Sequence, residues 1–259
     1  HVWGELSCSP WVEFHDNSGL QLAGCCDSPI KTRTKNLLDI IKISGQKKIK
    51  PFNYRIPSDI SSGSFFIVLT ALSKNSKLKI QNVNINPTRI GILKILKMMG
   101  VKVILKNIKK YKEEKIADIY VESTKALKSI RCPTSLNSSA IDEFLVIFLL
   151  AAKAKGVSYF KDLTELNQKE SPRLKWGNII LNQMGIKTIL NKDSIKIFGN
   201  PNLIINKRII IKNYLKDHRV FMTSVIAALT FGGIWHIHDK NSIKTSFPNF
   251  LKILNKLKK

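Results

Sequence analysis

The hydrophobic positions of this chain fall into runs of two kinds that alternate three times. One kind is almost continuously apolar: FFIVLTAL at 65–72, FLVIFLLAAKA at 144–154 and VFMTSVIAALTFGG at 220–233. The other recurs with helical spacing: IGILKILKMMG at 90–100, LKWGNIILNQMG at 174–185 and FLKILNKL at 250–257. Apolar residues three and four apart make one buried stripe on a helix, so each run of the second kind predicts an amphipathic helix. Between a first and a second run lies a short strand pattern: KLKIQNV at 77–83, VSYFKDL at 157–163 and IWHIHD at 234–239. Closing strands VKVIL (101–105) and IKTIL (186–190) follow the first two amphipathic helices directly after Gly100 and Gly185, which stand where a helix C-cap belongs.

The chain therefore reads as three copies of one α/β unit, at about 56–110, 136–200 and 205–259. Equivalent prolines, Pro87, Pro172 and Pro248, are 85 and 76 residues apart. That period is too long for a solenoid. It suits three supersecondary units sharing a core around a pseudo-threefold axis.

Polar residues gather at the same places in every copy. Ser61-Ser62, Asp142 and His218-Arg219 open the first helices. Asn86 to Arg89, Lys169 to Arg173 and Thr245 to Asn249 open the second ones. Helix starts expose unpaired N–H groups and the positive end of the helix dipole, so six of them facing one cleft predict an anion site. Capping accounts for the Ser, Thr, Asn and Asp. It does not account for Lys169, Arg173, His218 and Arg219, because cations are disfavoured there. Their placement points to a ligand that brings negative charge.

Charge refines the picture. The 259 residues carry 43 Lys and Arg against 18 Asp and Glu, a formal net charge of +25. Only seven of the basic residues are Arg, and three of those seven (Arg89, Arg173 and Arg219) sit at the repeat motifs. Arg offers the planar fork that fits carboxylate or phosphate, which Lys does not. The lysines are scattered, with no basic arm and no basic stretch interleaved with aromatics, so a nucleic-acid partner is not expected. No apolar run reaches the roughly eighteen residues of a membrane span, and no signal peptide is visible. A cytoplasmic monomer is the expectation. The four cysteines (Cys8, Cys25, Cys26 and Cys132) form no CxxC pair, so neither a zinc site nor a disulfide framework is suggested. His236 and His238 alternate along one strand with no third ligand nearby, and read as strand residues rather than a metal site. Trp176, Met99 and Met184 read as core.

Residues 1–30 differ from the rest of the chain. They hold no Lys or Arg, four of the acids, two of the four Trp and three of the four Cys. The expected organisation is an atypical N-terminal segment at 1–39 and one α/β domain at 40–259.

The motifs resemble those of a known enzyme family. Ser58-Asp59-Ile60-Ser61-Ser62, Asn86-Pro87-Thr88-Arg89, Ile141-Asp142-Glu143, Lys169-Glu170-Ser171-Pro172-Arg173, Asp217-His218-Arg219 and Thr245-Ser246-Phe247-Pro248 stand in the order seen in 3-phosphoshikimate 1-carboxyvinyltransferases, the EPSP synthases. The Asn-Pro-Thr-Arg and Thr-Ser-Phe-Pro wording is similar to the glyphosate-tolerant bacterial class. The resemblance implies a fold of two domains, each of three βαβαββ units, of which this chain would supply most of one. It implies transfer of the enolpyruvyl group from phosphoenolpyruvate to shikimate 3-phosphate in aromatic amino-acid synthesis, with no metal or organic cofactor. By the same resemblance, Asp142 takes the proton of the shikimate hydroxyl and Glu170 protonates the methylene carbon. Lys169 sits at the reacting oxygens, Arg173 and Arg219 hold phosphoenolpyruvate, and His218 stands beside them. Pro172 replaces the family's usual Asp, Asn167-Gln168 replace its Arg-Val, and Ser58 replaces a Gly. A Lys-Ser…Arg motif and a Ser-Ala-Gln-type segment of the family have no convincing counterpart here. The expectation is a fragment with little activity alone. A UDP-N-acetylglucosamine enolpyruvyl transferase-like enzyme and a non-catalytic basic anion-binding or nucleic-acid-binding fragment remain the alternatives.

Overall fold

The computed structural model describes residues 53–257 and, before them, three short strands: β1 (Phe14–His15), β2 (Lys31–Lys35) and β3 (Leu38–Lys42). The rest of the atypical segment lies outside the described residues. The chain divides into two units, His1–Ile56 with Lys110–Glu114, and Pro57–Lys109 with Lys115–Lys259. In the first, β3 pairs antiparallel with both β1 and β2, and the rings of Tyr54 and Tyr111 meet at 5.4 Å.

The second unit contains the three copies. The first runs α1 (Ile60–Leu72), β4 (Lys77–Asn84), α2 (Gly91–Met98), β5 (Val103–Tyr111) and β6 (Glu114–Glu122). The second has the short helix α3 (Asn137–Ala140), then α4 (Phe144–Lys153), β7 (Gly156–Phe160), α5 (Arg173–Met184), β8 (Thr188–Leu190) and β9 (Ile195–Gly199). The third has β10 (Ile205–Ile211), α6 (His218–Phe231), β11 (Gly232–Ile237) and α7 (Phe250–Leu257).

The sheets show the copies to be one design. Their strand orders are β4-β6-β5 and β7-β9-β8, with β4–β6 and β7–β9 antiparallel. A strand ahead of each first helix pairs parallel with the strand after it, which requires a crossover helix between them. In the third copy this pair is β10 with β11. In the first two it shrinks to the parallel bridges Ser58–Val83, Lys128–Lys155 and Arg131–Tyr159, so these leading strands were not visible as periodic runs in the sequence. Each of the first two copies is thus βαβαββ.

The continuous apolar runs become α1, α4 and α6, and each of these packs on the other two. A helix apolar on all sides must be enclosed on all sides, and three such helices meeting at one axis satisfy that. Phe144 through Ala152 are all buried, and burial of one large apolar side chain is worth about 1.5–3 kcal/mol. The amphipathic α2, α5 and α7 bury one stripe each, such as Ile92, Leu93, Ile95 and Leu96 on α2 and Phe250 with Leu254 on α7. Met99 and Met184 are core, as expected, whereas Trp176 is only partly buried, edge-on to Tyr214. His236 lies on β11 but His238 is past its end, so the two do not share a strand. Among the described residues no helix is long and apolar enough to cross a membrane, and no three His, Cys, Asp or Glu side chains gather as a metal site would need.

Candidate functional site

The N-terminal ends of the helices gather side chains from all three copies. Asp59 caps α1, accepting from the backbone N–H groups of Ser61 and Ser62. Asp217 caps α6 in the same way, accepting from Arg219 N at 2.8 Å. Asp142 caps nothing. It sits in the turn between α3 and α4, and α4 receives no side-chain cap. Asp142 lies in this turn at the opening of α4, as the sequence leads one to expect, with the short α3 before it.

Four cations from three copies surround this carboxylate. Arg173 Nη1 is 3.3 Å from Asp142 Oδ1, and Lys169 Nζ is 3.7 Å from the same oxygen. Arg89 Nη2 and Arg219 Nη2 each lie 3.7 Å from Oδ2. Burial alone would push the Asp142 carboxyl up, but Arg219, Lys169, Arg173 and Arg89 outweigh it and hold it below the usual carboxylate range.

Arg173 is the centre of the cluster and its deepest member, 1% exposed. It is the first residue of α5, whose N-cap position is Pro172. A proline there supplies no side-chain acceptor for the N–H groups that follow, and α5 has no side-chain cap. Arg173 Nε donates to Asp217 Oδ2 at 2.8 Å, and Ser171 Oγ donates to the same oxygen at 2.8 Å. Arg173 Nη2 donates to Glu170 Oε2. Burial would raise the Asp217 carboxyl, but the bonds from Arg173, Ser171 and Arg219 hold it low. Arg219 Nη1 donates to the Asp142 carbonyl at 2.8 Å, and Arg89 Nη2 donates to Ser61 Oγ at 3.0 Å. Burial and the adjacent Arg219 push the His218 imidazole below its ordinary value, so it stands neutral at pH 7. Lys169 also pairs with Glu165 at 3.0 Å.

All six residues expected at the site from the sequence, Asp142, Lys169, Glu170, Arg173, His218 and Arg219, lie on helix starts that this network connects. Arg89, singled out by its scarcity and position, joins them. The start at Thr245–Asn249 does not: it packs through Phe247 onto Phe66 and Phe250 and enters none of these ion pairs among the described residues. Two further acids, Glu143 and Asp217, take part without having been assigned a role. Both belong to motifs quoted from the sequence, but no local pattern marked their pairing with distant arginines. Asp142, Glu143, Glu170 and Asp217 offset Arg89, Lys169, Arg173 and Arg219, with Glu165 also on Lys169. Glu170 is half-exposed.

Comparison with known proteins agrees with this architecture. The sequence model of the EPSP synthase family (3-phosphoshikimate 1-carboxyvinyltransferase) matches residues 27–254. A 3-phosphoshikimate 1-carboxyvinyltransferase from Ruthia magnifica is 40% identical over 221 residues, which make up 84% of this chain and 49% of that protein. One from Petrotoga mobilis is 35% identical, over 82% of this chain and 48% of its own length. The structure of EPSP synthase from Acinetobacter baumannii superposes with a TM-score of 0.77 at 33% identity, covering 88% of this chain and 52% of that one. The enolpyruvyl transferase NikO from Streptomyces tendae shares the fold, with a TM-score of 0.66 at 16% identity. The chain spans about half the length of the relatives it matches. With the family's sequence signature running through most of its length and its three copies folded as in a solved member, this chain belongs to the EPSP synthase family.

Proposed function

We propose that the cluster around Asp142 is one wall of a site for enolpyruvyl transfer from phosphoenolpyruvate to shikimate 3-phosphate, in the cytoplasm and in a monomer. The observation that carries this reading is the convergence of Arg89, Lys169, Arg173 and Arg219 on one carboxylate. Two anionic substrates can be brought together only where cations offset their repulsion. Addition of a hydroxyl to the enol phosphate of phosphoenolpyruvate, followed by loss of phosphate, also needs one group to take a proton and another to give one. Asp142 is the acceptor at the shikimate hydroxyl and Glu170 the donor to the methylene carbon. Lys169 attends the reacting oxygens. Arg173 and Arg219, with neutral His218 beside them, hold phosphoenolpyruvate.

The ion pairs suggest an order of events. In the free chain Glu170 occupies Arg173 Nη2. A substrate carboxylate taking that place releases Glu170 to act as an acid. Substrate anions also draw the cations away from Asp142, which raises its affinity for a proton when a base is needed.

Because the chain spans about half of its relatives, we propose that it binds phosphoenolpyruvate but turns over little or not at all alone. Titration calorimetry with phosphoenolpyruvate, followed by a phosphate-release assay with both substrates, tests both statements. Heat of binding without phosphate release is expected. Absence of binding would overturn the site, and steady phosphate release would overturn the fragment reading. The wording at Asn86–Arg89 and Thr245–Pro248 places the chain, on our reading, with the glyphosate-tolerant class, so glyphosate should not displace bound phosphoenolpyruvate.

A further inference from the structure

Glu143 is a buried carboxylate that the proposed reaction does not use. It is 3% exposed, caps no helix, and its Oε1 has no hydrogen-bond partner among the described residues. A buried polar atom left unpaired costs about 1–3 kcal/mol, and more when charged. The fold carries this cost beside two arginines. Oε1 lies 3.8 Å from Arg219 Nη1, too far for a hydrogen bond but close enough for charge to act. Ser61, itself buried, also acts on this carboxylate, and its hydroxyl oxygen accepts from Arg89 Nη2. Arg219 Nη1 meanwhile donates to the Asp142 carbonyl.

We propose, resting on the enolpyruvyl-transfer reading above, that Glu143 is a positioning residue for Arg219. With the Asp142 carbonyl it holds the guanidinium from the buried side and stops it rotating, so that the rest of the fork is presented to phosphoenolpyruvate. A planar fork binds a carboxylate or phosphate well only when its orientation is set beforehand. The adjacent acids then divide the work: Asp142 faces the substrates and Glu143 faces the arginine. Burial pushes the Glu143 carboxyl up against the pull of Ser61 and Arg219; an amide of the same shape removes the charge and keeps the volume.

The test uses the 259-residue chain, its Glu143→Gln variant, and Arg219→Lys in both backgrounds. In the free chain, nitrogen-15 NMR should resolve the Arg219 Nη protons as separate signals, because rotation about Cζ–Nη is restrained. Glu143→Gln should average them while thermal unfolding stays within a few degrees of the parent. Phosphoenolpyruvate should bind Glu143→Gln about tenfold more weakly, as expected when the ion pair that orients the Arg219 fork beforehand is lost. In the Arg219→Lys background the same change should cost less than about twofold, since residues acting through one another are not additive. Ser61→Ala, which frees the carboxylate to turn, should also average the Arg219 signals. Unchanged Arg219 signals in Glu143→Gln, or equal losses in both backgrounds, would overturn the proposal. If the parent chain fails to bind phosphoenolpyruvate, the enolpyruvyl reading fails, and the Arg219 signals alone decide Glu143.

Discussion

At Arg173 and Asp217 the interior holds two charges that hydrophobic burial would otherwise exclude. Neither is more than 1% exposed, and the direct pair is the main compensation for burying both charges. Arg173→Met should therefore destabilise the chain by about 3–5 kcal/mol, because Asp217 is left buried without its partner. The midpoint of urea unfolding measures this. Combining it with Asp217→Asn should recover much of the loss. The same carboxylates set the response to acid. Asp142 and Asp217 both lie below the ordinary value of 3.8 in the folded chain. A lowered folded value adds stability that is full above the unfolded value and disappears as pH falls through the folded one. Stability from this source should hold from neutral pH to about 4 and decline below it. Asp217→Asn should flatten that decline, and an unchanged acid limb in the variant would rule out this source. Residue-level reading of the sequence found the cations of the cluster because Arg is rare here and helix starts disfavour cations. It did not find Glu143 or the role of Asp217, whose partners are 76 and 44 residues away (Arg219 and Arg173). Nothing local marks a pair separated that far.

At the element scale, the long helices were legible from their apolar runs and helical spacing, and β4, β5, β7, β8 and β11 from short strand patterns, whereas β6, β9 and β10 were not read. The leading strands of the first two copies were not legible either, since a strand reduced to one or two bridges leaves no run to see. The short α3 was not legible, because four residues, Asn137-Ser138-Ser139-Ala140, carry no apolar repeat. Packing between elements was equally silent. Gly177 lies where α5 crosses α4, and a Cβ added there would fall 2.6 Å from Phe148 Cδ2. Gly177→Ala gains about 1 kcal/mol of helix propensity but overpacks a ring in a close-packed core, which costs about 1–3 kcal/mol. A net fall in melting temperature is expected, and Phe148→Leu in the same chain should relieve it. If Gly177→Ala raises the melting temperature, the close approach of α5 and α4 is not a constraint. Because Arg173 is the first residue of α5, a shift of that helix should also weaken phosphoenolpyruvate binding before it unfolds the chain.

Over the whole molecule, two electrostatic balances oppose each other. Around Asp142, carboxylates and cations offset one another, whereas the chain as a whole carries +25. The site thus owes its specificity to close ion pairs, and the surrounding field supplies attraction for anions at a distance. These contributions respond differently to salt. Screening shortens from about 30 Å at 0.01 M to about 3 Å at 1 M. That range should abolish the long-range attraction and the self-repulsion of the lysine-rich surface, while the buried Arg173–Asp217 pair is little affected. Sodium chloride should then raise the melting temperature of the free chain and reduce the further rise produced by phosphoenolpyruvate. Replacing several scattered surface lysines, such as Lys187, Lys196 and Lys252, with Gln should imitate both effects at low salt without touching a residue of the cluster. Scanning calorimetry across the salt series, with and without phosphoenolpyruvate, separates the two. If salt moves both quantities in the same direction, the positive field is not what draws the ligand, and recognition rests on the ion pairs around Asp142 alone.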